Sequence, residues 1–150
     1  MVKHSYLVTR AQDIPRVLTE AHYIARSGRP GPVVVDVTKT AQTGEMYYSW
    51  PQRMILPGYN PTTKAHGRVL SDAAKLFEQS YRPVLYVGGG AVRSDAGELV
   101  KELADVTGAP IVTTLPARGI VPDSDPKVLG MLGMHGTIAA TGAVQRCDLL

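Results

Sequence analysis

A single cysteine, Cys147, stands among 150 residues, so an internal disulfide framework is excluded and the chain fits a reducing compartment. No apolar run approaches the roughly 20 residues that a membrane-spanning helix needs, and no membrane association is expected. The Lys and Arg residues number 16 against 13 Asp and Glu, a formal charge of +3. They are dispersed among carboxylates, with no basic block interleaved with aromatics, which argues against nucleic-acid binding. The four histidines (His4, His22, His66 and His135) lie far apart and have no Cys or His at ligand spacing, so no metal site is expected. Patterns for an esterase-type serine, a P-loop or a zinc hydrolase are also missing. No nucleophile–base pair stands out, and no catalytic residue is assigned to this chain.

What is present is an alternation of helical and strand patterns in a chain that is 44% apolar. Ile14, Val17, Leu18, Ala21, Ile24 and Ala25 follow helical spacing, with Asp13 placed to cap, Pro15 in the first turn and Gly28 as the stop. Arg29-Pro30-Gly31-Pro32 then turns the chain into Val33-Val34-Val35-Asp36-Val37, a β-branched run of the kind buried on both faces of a parallel sheet. From Thr38 to about Lys64 the pattern breaks at Gly44, Pro51, Pro57, Gly58 and Pro61. The expectation there is an interdomain crossing pinned to a surface by Tyr47, Tyr48 and Trp50.

Beyond it, Val69, Ala73, Leu76 and Phe77 predict an amphipathic helix. A strand follows at Pro83-Val84-Leu85-Tyr86-Val87, then three glycines. Next come a helix from about Ser94 (Ala96, Leu99, Val100, Leu103 and Val106 inward), stops at Gly108 and Pro110, and the strand Ile111-Val112-Thr113-Thr114. Strands separated by helices predict an α/β, doubly wound parallel sheet. Asp148-Leu149-Leu150 reads as the first step of a further strand, and both ends read as cuts in a longer polypeptide.

Ligands of open parallel sheets collect at the carboxyl ends of strands. Gly88, Gly89, Gly90, Thr113 and Thr114 stand at such ends, where bare backbone and hydroxyls suit a phosphate or ribose; a tight strand-to-helix turn is the plainer alternative. The dinucleotide fingerprint is half met, since Arg93 replaces its third glycine. In Leu129-Gly130-Met131-Leu132-Gly133-Met134-His135-Gly136-Thr137 apolar side chains alternate with glycines ahead of an alanine-rich helix. That suits a nucleotide-like cofactor with a flat apolar head, with a helix start offering N–H groups to an anion; a buried loop is the alternative. Arg29 suits a phosphate or ring edge, or else satisfies nearby carbonyls. Lys39 stands past a strand end, facing a cleft or solvent. Asp36 is a strand-end carboxylate or a buried acceptor. His135 contacts a ligand or caps the next helix.

These strings, taken in order from Ser27 through Val37, Pro83 through Gly90, Thr107 through Leu115 and Leu129 through Thr137, resemble the large catalytic subunit of acetolactate synthase (acetohydroxyacid synthase). The similarity runs over essentially the whole chain, in a bacterial style, and implies a cytoplasmic enzyme of branched-chain amino-acid biosynthesis. The family condenses two 2-oxo acids, pyruvate with pyruvate or 2-oxobutyrate, with loss of carbon dioxide on thiamine diphosphate and Mg2+. It also binds FAD that takes no redox part in that reaction. The resemblance implies that residues 1–42 end the pyrimidine-binding domain, 43–64 form the linker and 65–150 open a truncated central FAD-binding domain. It places Arg29, Gly88, Gly89, Gly90, Thr113, Thr114, Leu115, Leu129, Gly130, Met131, Leu132, Gly133, Met134, His135 and Gly136 around the flavin. Lys39 and Met134 would face the substrate and inhibitor channel.

The family's catalytic glutamate and its diphosphate and magnesium site lie outside this segment, which is therefore expected to be inactive alone. A homodimer or tetramer, with a separate regulatory subunit, is the implied assembly. Two departures stand out: Thr38 and Thr40 flank Lys39 where Pro and Asp are usual, and Pro116 replaces Met, removing a backbone donor. The alternatives are a related thiamine-diphosphate carboligase such as glyoxylate carboligase, or a stand-alone nucleotide-binding module.

Overall fold

Right at the N-terminus, where the sequence patterns single out nothing before the first helix, the computed structural model has a strand. Residues 1–51, 54 and 56–150 are described, and they form two compact units, Met1–Ala65 and His66–Leu150.

The first unit is a β-α-β crossover. Strand β1 (His4–Val8) lies parallel to β2 (Val33–Val37), with His4 opposite Val33 and Val8 opposite Val37. Helix α1 (Ile14–Arg26) connects them and buries Pro15, Val17, Glu20, Ala21 and Ile24. Leu18, expected on that face, is exposed. Asp13 occupies the cap position but makes no capping bond; its carboxylate instead accepts from Arg10 and Arg16. The valine run of β2 is not buried on both faces. Val33, Val35 and Val37 are half-buried while Val34 and Asp36 are exposed, because α1 covers one face of the two-stranded sheet. Asp36 is thus no buried acceptor. A short helix α2 (Lys39–Thr43) interrupts the stretch expected to be irregular, since the Thr38 hydroxyl accepts from the Ala41 N–H and starts a turn.

In the second unit, α3 (Gly67–Gln79) precedes β3 (Leu85–Val87), α4 (Gly89–Arg93), α5 (Gly97–Thr107), β4 (Ile111–Thr113), β5 (Val128–Met131) and α6 (Ile138–Arg146). The sheet order is β3-β4-β5, all parallel, with an irregularity where Leu129 is inserted opposite β4. Strand alternation on β4 sends Ile111 to one face and Val112 to the other. Ile111 packs with Val87, Ala104, Ala117 and Val121 beneath α4 and α5. Val112 packs with Val84 and Ala140 beneath α6. All three β4 residues are buried, as a central strand covered on both sides requires. Leu149 adds a parallel bridge beside Pro83, on the far edge of β3.

Of the residues expected inward on α5 and its start, Ala96 and Val100 are half-buried, with Val100 packed against the core. Leu99, Leu103 and Val106 are exposed, and Ala104 is fully buried instead. The helix also approaches a neighbouring turn closely, since a Cβ at Gly97 would come within 2.7 Å of the Ile120 carbonyl.

Candidate functional site

Because β3, β4 and β5 run parallel, their carboxyl ends share one edge; Thr113, Leu129, Gly130 and Met131 lie within β4 and β5, and the segments that leave the strands carry Gly88, Gly89, Gly90, Thr114, Leu115, Leu132, Gly133, Met134, His135 and Gly136. The clusters are linked through β4. The Thr114 N–H donates to the Val87 carbonyl at 2.9 Å, and the Thr113 hydroxyl reaches the Gly130 carbonyl at 3.4 Å. Arg29 and Lys39 belong to the first unit; both are exposed, Arg29 in the turn before β2 and Lys39 in the first turn of α2.

The glycines do not all serve one purpose. A Cβ at Gly89 would stand 3.0 Å from the Pro116 ring, so this glycine is needed for packing. Pro116 sits in the first turn of the 3-10 turn Leu115–Ala117, where its missing N–H has no helical partner to lose. Gly90 has open space above it. A Cβ at Gly88 would come near only one atom, the Thr114 hydroxyl oxygen, at 4.0 Å. That oxygen is buried and has no hydrogen-bond partner among the described residues. A buried hydroxyl without a partner costs free energy, and such groups point to an absent ligand or water.

The second glycine cluster winds back on itself. The Thr137 N–H donates to the Met131 carbonyl at 3.0 Å and the Gly136 N–H to the Gly133 carbonyl at 2.8 Å. The Thr137 hydroxyl donates to the Leu129 carbonyl and accepts from the Ala140 N–H at 3.0 Å, capping α6. His135 therefore does not cap that helix; it is exposed at the tip of the loop. Gly136 is packed against the Met131 carbonyl, which a Cβ would overlap, whereas Gly133, at φ +98°, has nothing nearby. Met134 is 93% exposed at the apex, while Met131 and Leu132 are half-buried below it. The edge thus offers two patches of bare backbone (Gly90 and Gly133), one unsatisfied hydroxyl and an apolar loop. It can bind a flat, partly polar ligand, and it holds no acid–base pair for bond-making.

A hollow of about 600 Å3, lined by Tyr81, Arg82, Pro83, Val84 and residues of α6, opens by contrast toward the amino-terminal ends of β3 and β4 and includes none of these residues. Among the described residues no group of His, Cys, Asp or Glu gathers for a metal ion, and no helix is long and apolar enough to cross a membrane.

Sequence patterns alone pass over Thr137 as a functional residue, although a threonine directly before an apolar helical pattern is a recognised cap signal. They also pass over Lys3 and Tyr59. The cation that satisfies the carbonyls at the end of α1 is Lys3, not Arg29. The expected aromatic anchors Tyr47, Tyr48 and Trp50 are exposed; Tyr59 makes the attachment. Lys3 and Tyr59 are separated by 56 residues, so no local pattern marks them.

The chain is 57% identical over all 150 residues to an acetolactate synthase of Mycobacterium bovis, covering 24% of that protein. It is 48% identical over its whole length to the acetolactate synthase large subunit of Corynebacterium glutamicum, again 24% of that protein. With the large subunit of Porphyra purpurea the identity is 45%, over 26% of the relative. The chain thus spans about a quarter of the length of these relatives. Residues 70–150, which carry the whole glycine-lined edge, match the central domain of thiamine pyrophosphate enzymes, and the chain belongs to that family.

Proposed function

We propose that this chain is the part of an acetolactate synthase large subunit that forms one side of its flavin seat. The observation that carries the reading is 57% identity along the whole chain to an acetolactate synthase. The strand-end geometry supports it: the open backbone at Gly90 and Gly133, exposed Met134 above half-buried Met131, and the Thr114 hydroxyl, which has no partner among the described residues, suit FAD, whereas the Leu129 and Leu132 side chains expected there pack against Val84, Val112 and Ala140. Gly88, Gly89, Thr113, Leu115, Gly130, His135 and Gly136 shape that seat, and Arg29 supplies a cation for the flavin's anionic part. Lys39 and Met134 are assigned to the channel. Residues 1–42 close the pyrimidine-binding domain, 43–64 cross over and 65–150 open the central domain.

In the longer protein, thiamine diphosphate with Mg2+ supplies the electron sink for decarboxylation and carbon–carbon bond formation. This segment's residues bind and orient the flavin and exclude water from it; they carry no catalytic group. The substrates are two 2-oxo acids, pyruvate with pyruvate or 2-oxobutyrate. The working assembly is a homodimer or tetramer, joined by a separate regulatory subunit.

The test is made on the full-length protein. Given pyruvate, thiamine diphosphate, Mg2+ and FAD, it is expected to form acetolactate. Turnover of glyoxylate in preference to pyruvate, or no acetolactate at all, would overturn the reading.

A further inference from the structure

The flavin reading leaves one cluster of the first unit unused. Lys3 ends in an ammonium with three donors, and three acceptors surround it: the Ile24 carbonyl at 2.5 Å, the Ser27 carbonyl at 2.6 Å and the Tyr59 hydroxyl at 2.9 Å. A cation at this place also faces the negative end of α1. The Tyr59 hydroxyl lies 3.0 Å from the Ser27 hydroxyl and 3.2 Å from the Ser27 carbonyl, and its ring packs edge-on against Tyr23 at 5.9 Å. The Ser27 hydroxyl in turn donates to the Tyr23 carbonyl at 2.5 Å. The Lys3 ammonium, donating to the phenol oxygen, is the leading cause of a lowered Tyr59 pKa.

These bonds close around the turn at residues 27–32. Gly28, at φ +56°, would place a Cβ 3.4 Å from the Tyr59 oxygen and 3.7 Å from Pro61. On the other side, the Gly31 N–H donates to the Ala25 carbonyl at 3.0 Å, and the Lys3 N–H donates to the Pro32 carbonyl at 2.8 Å. Between these fastenings stands Arg29, exposed. With Lys3 taking the helix-end carbonyls, the guanidinium is left for something outside the turn.

We infer that Lys3 and Tyr59 are positioning residues for Arg29, fixing the 27–32 turn so that the guanidinium meets its ligand from one prepared place. The inference rests on the flavin reading of Arg29. Two glycines make this turn costly to order, and ordering it before the ligand arrives removes that cost from binding.

The test uses the full-length protein stripped of flavin, with FAD affinity read by quenching of flavin fluorescence. Arg29→Met is expected to weaken FAD about tenfold or more, and Tyr59→Phe, which keeps the ring, about five- to tenfold; coupled neighbours show effects of this order. Lys3→Met repeats the test from the other side of the latch. In the double variant, Tyr59→Phe is expected to add nothing to Arg29→Met. Wild-type affinity in both Tyr59→Phe and Lys3→Met, or losses that multiply in the double variant, would overturn the positioning role while leaving Arg29 as a ligand. Wild-type affinity in Arg29→Met would instead remove Arg29 from the flavin site.

Discussion

The methyl group of Thr137 occupies the space that a side chain at Gly130 would need: a Cβ there would stand 2.6 Å from Thr137 Cγ2, at a φ of +103°. Thr137 cannot swing aside, because its hydroxyl is tied to both Leu129 and Ala140. The methionine loop is thus a self-packed turn, and its three glycines fall into two kinds.

Alanine substitutions separate these kinds. Gly133→Ala, with open space but φ +98°, is expected to cost only the left-handed strain of about 1–2 kcal/mol. Gly130→Ala adds overpacking against Thr137, for roughly 2–5 kcal/mol. Gly136→Ala meets the backbone of Met131 and Leu132, and is expected to exceed Gly133→Ala as well. Urea unfolding of the three variants gives the order, and equal losses would remove the packing argument.

Thr114 makes an opposite pair of expectations. Its buried hydroxyl has no partner among the described residues, so Thr114→Val is expected to leave stability unchanged or raise it by about 1 kcal/mol. The same change in the full-length protein is expected to weaken FAD, since the seat loses this buried polar group. A valine variant that destabilises the chain and leaves flavin affinity intact would contradict both.

The Asp148 carboxylate accepts from the Ser80 hydroxyl and from the N–H groups of Tyr81 and Arg82, which lowers its pKa to about 2. The Ser80 bond is the leading cause. The folded form therefore holds this proton more weakly than the unfolded chain does. The resulting stability is full above the ordinary aspartate range and is lost as pH falls through about 2. In denaturant titrations, wild type is expected to exceed Asp148→Asn at pH 6, with the gap closing toward pH 2. A gap independent of pH would mean that the charge is not what the loop uses.

Apolar surface left on the helices makes the fourth expectation. Leu99, Leu103 and Val106 line the outer face of α5, and Val69, Leu70 and Leu76 stand exposed on α3. Contiguous faces of this kind associate in water. Light scattering is expected to show concentration-dependent self-association of the isolated chain, reduced by Leu99→Glu with Val106→Glu. Monodisperse monomer at high concentration would count against it.

Much of this is legible along the chain, and the failures have physical causes. Helix α1, its Pro15 start and its Gly28 stop follow from spacing and backbone freedom. Strands β3 and β4 follow from short runs of β-branched and aromatic or aliphatic residues that begin just after a proline. The face of α5 is only partly legible from spacing: Val100 turns inward as expected, but helical periodicity admits two overlapping stripes, Leu99-Leu103-Val106 and Val100-Ala104, and the second is buried. The larger side chains suggest the core, yet the small ones allow the approach. The valine run of β2 suggests double burial because β-branched residues suit either environment; only the number of covering helices distinguishes them.

The sequence by itself determined the alternation of helix and strand, the parallel sheet that follows from it, and the glycine and methionine strings at the ends of its strands. Those are local properties, fixed by backbone freedom and by the period of apolar side chains. Only the tertiary structure decided which glycines face open space and which are filled by a neighbour, that the Thr114 hydroxyl is left without a partner among the described residues, and that Lys3 and Tyr59 meet at the end of α1. Each depends on groups brought together from distant parts of the chain, where a few tenths of an ångström separate contact from clash.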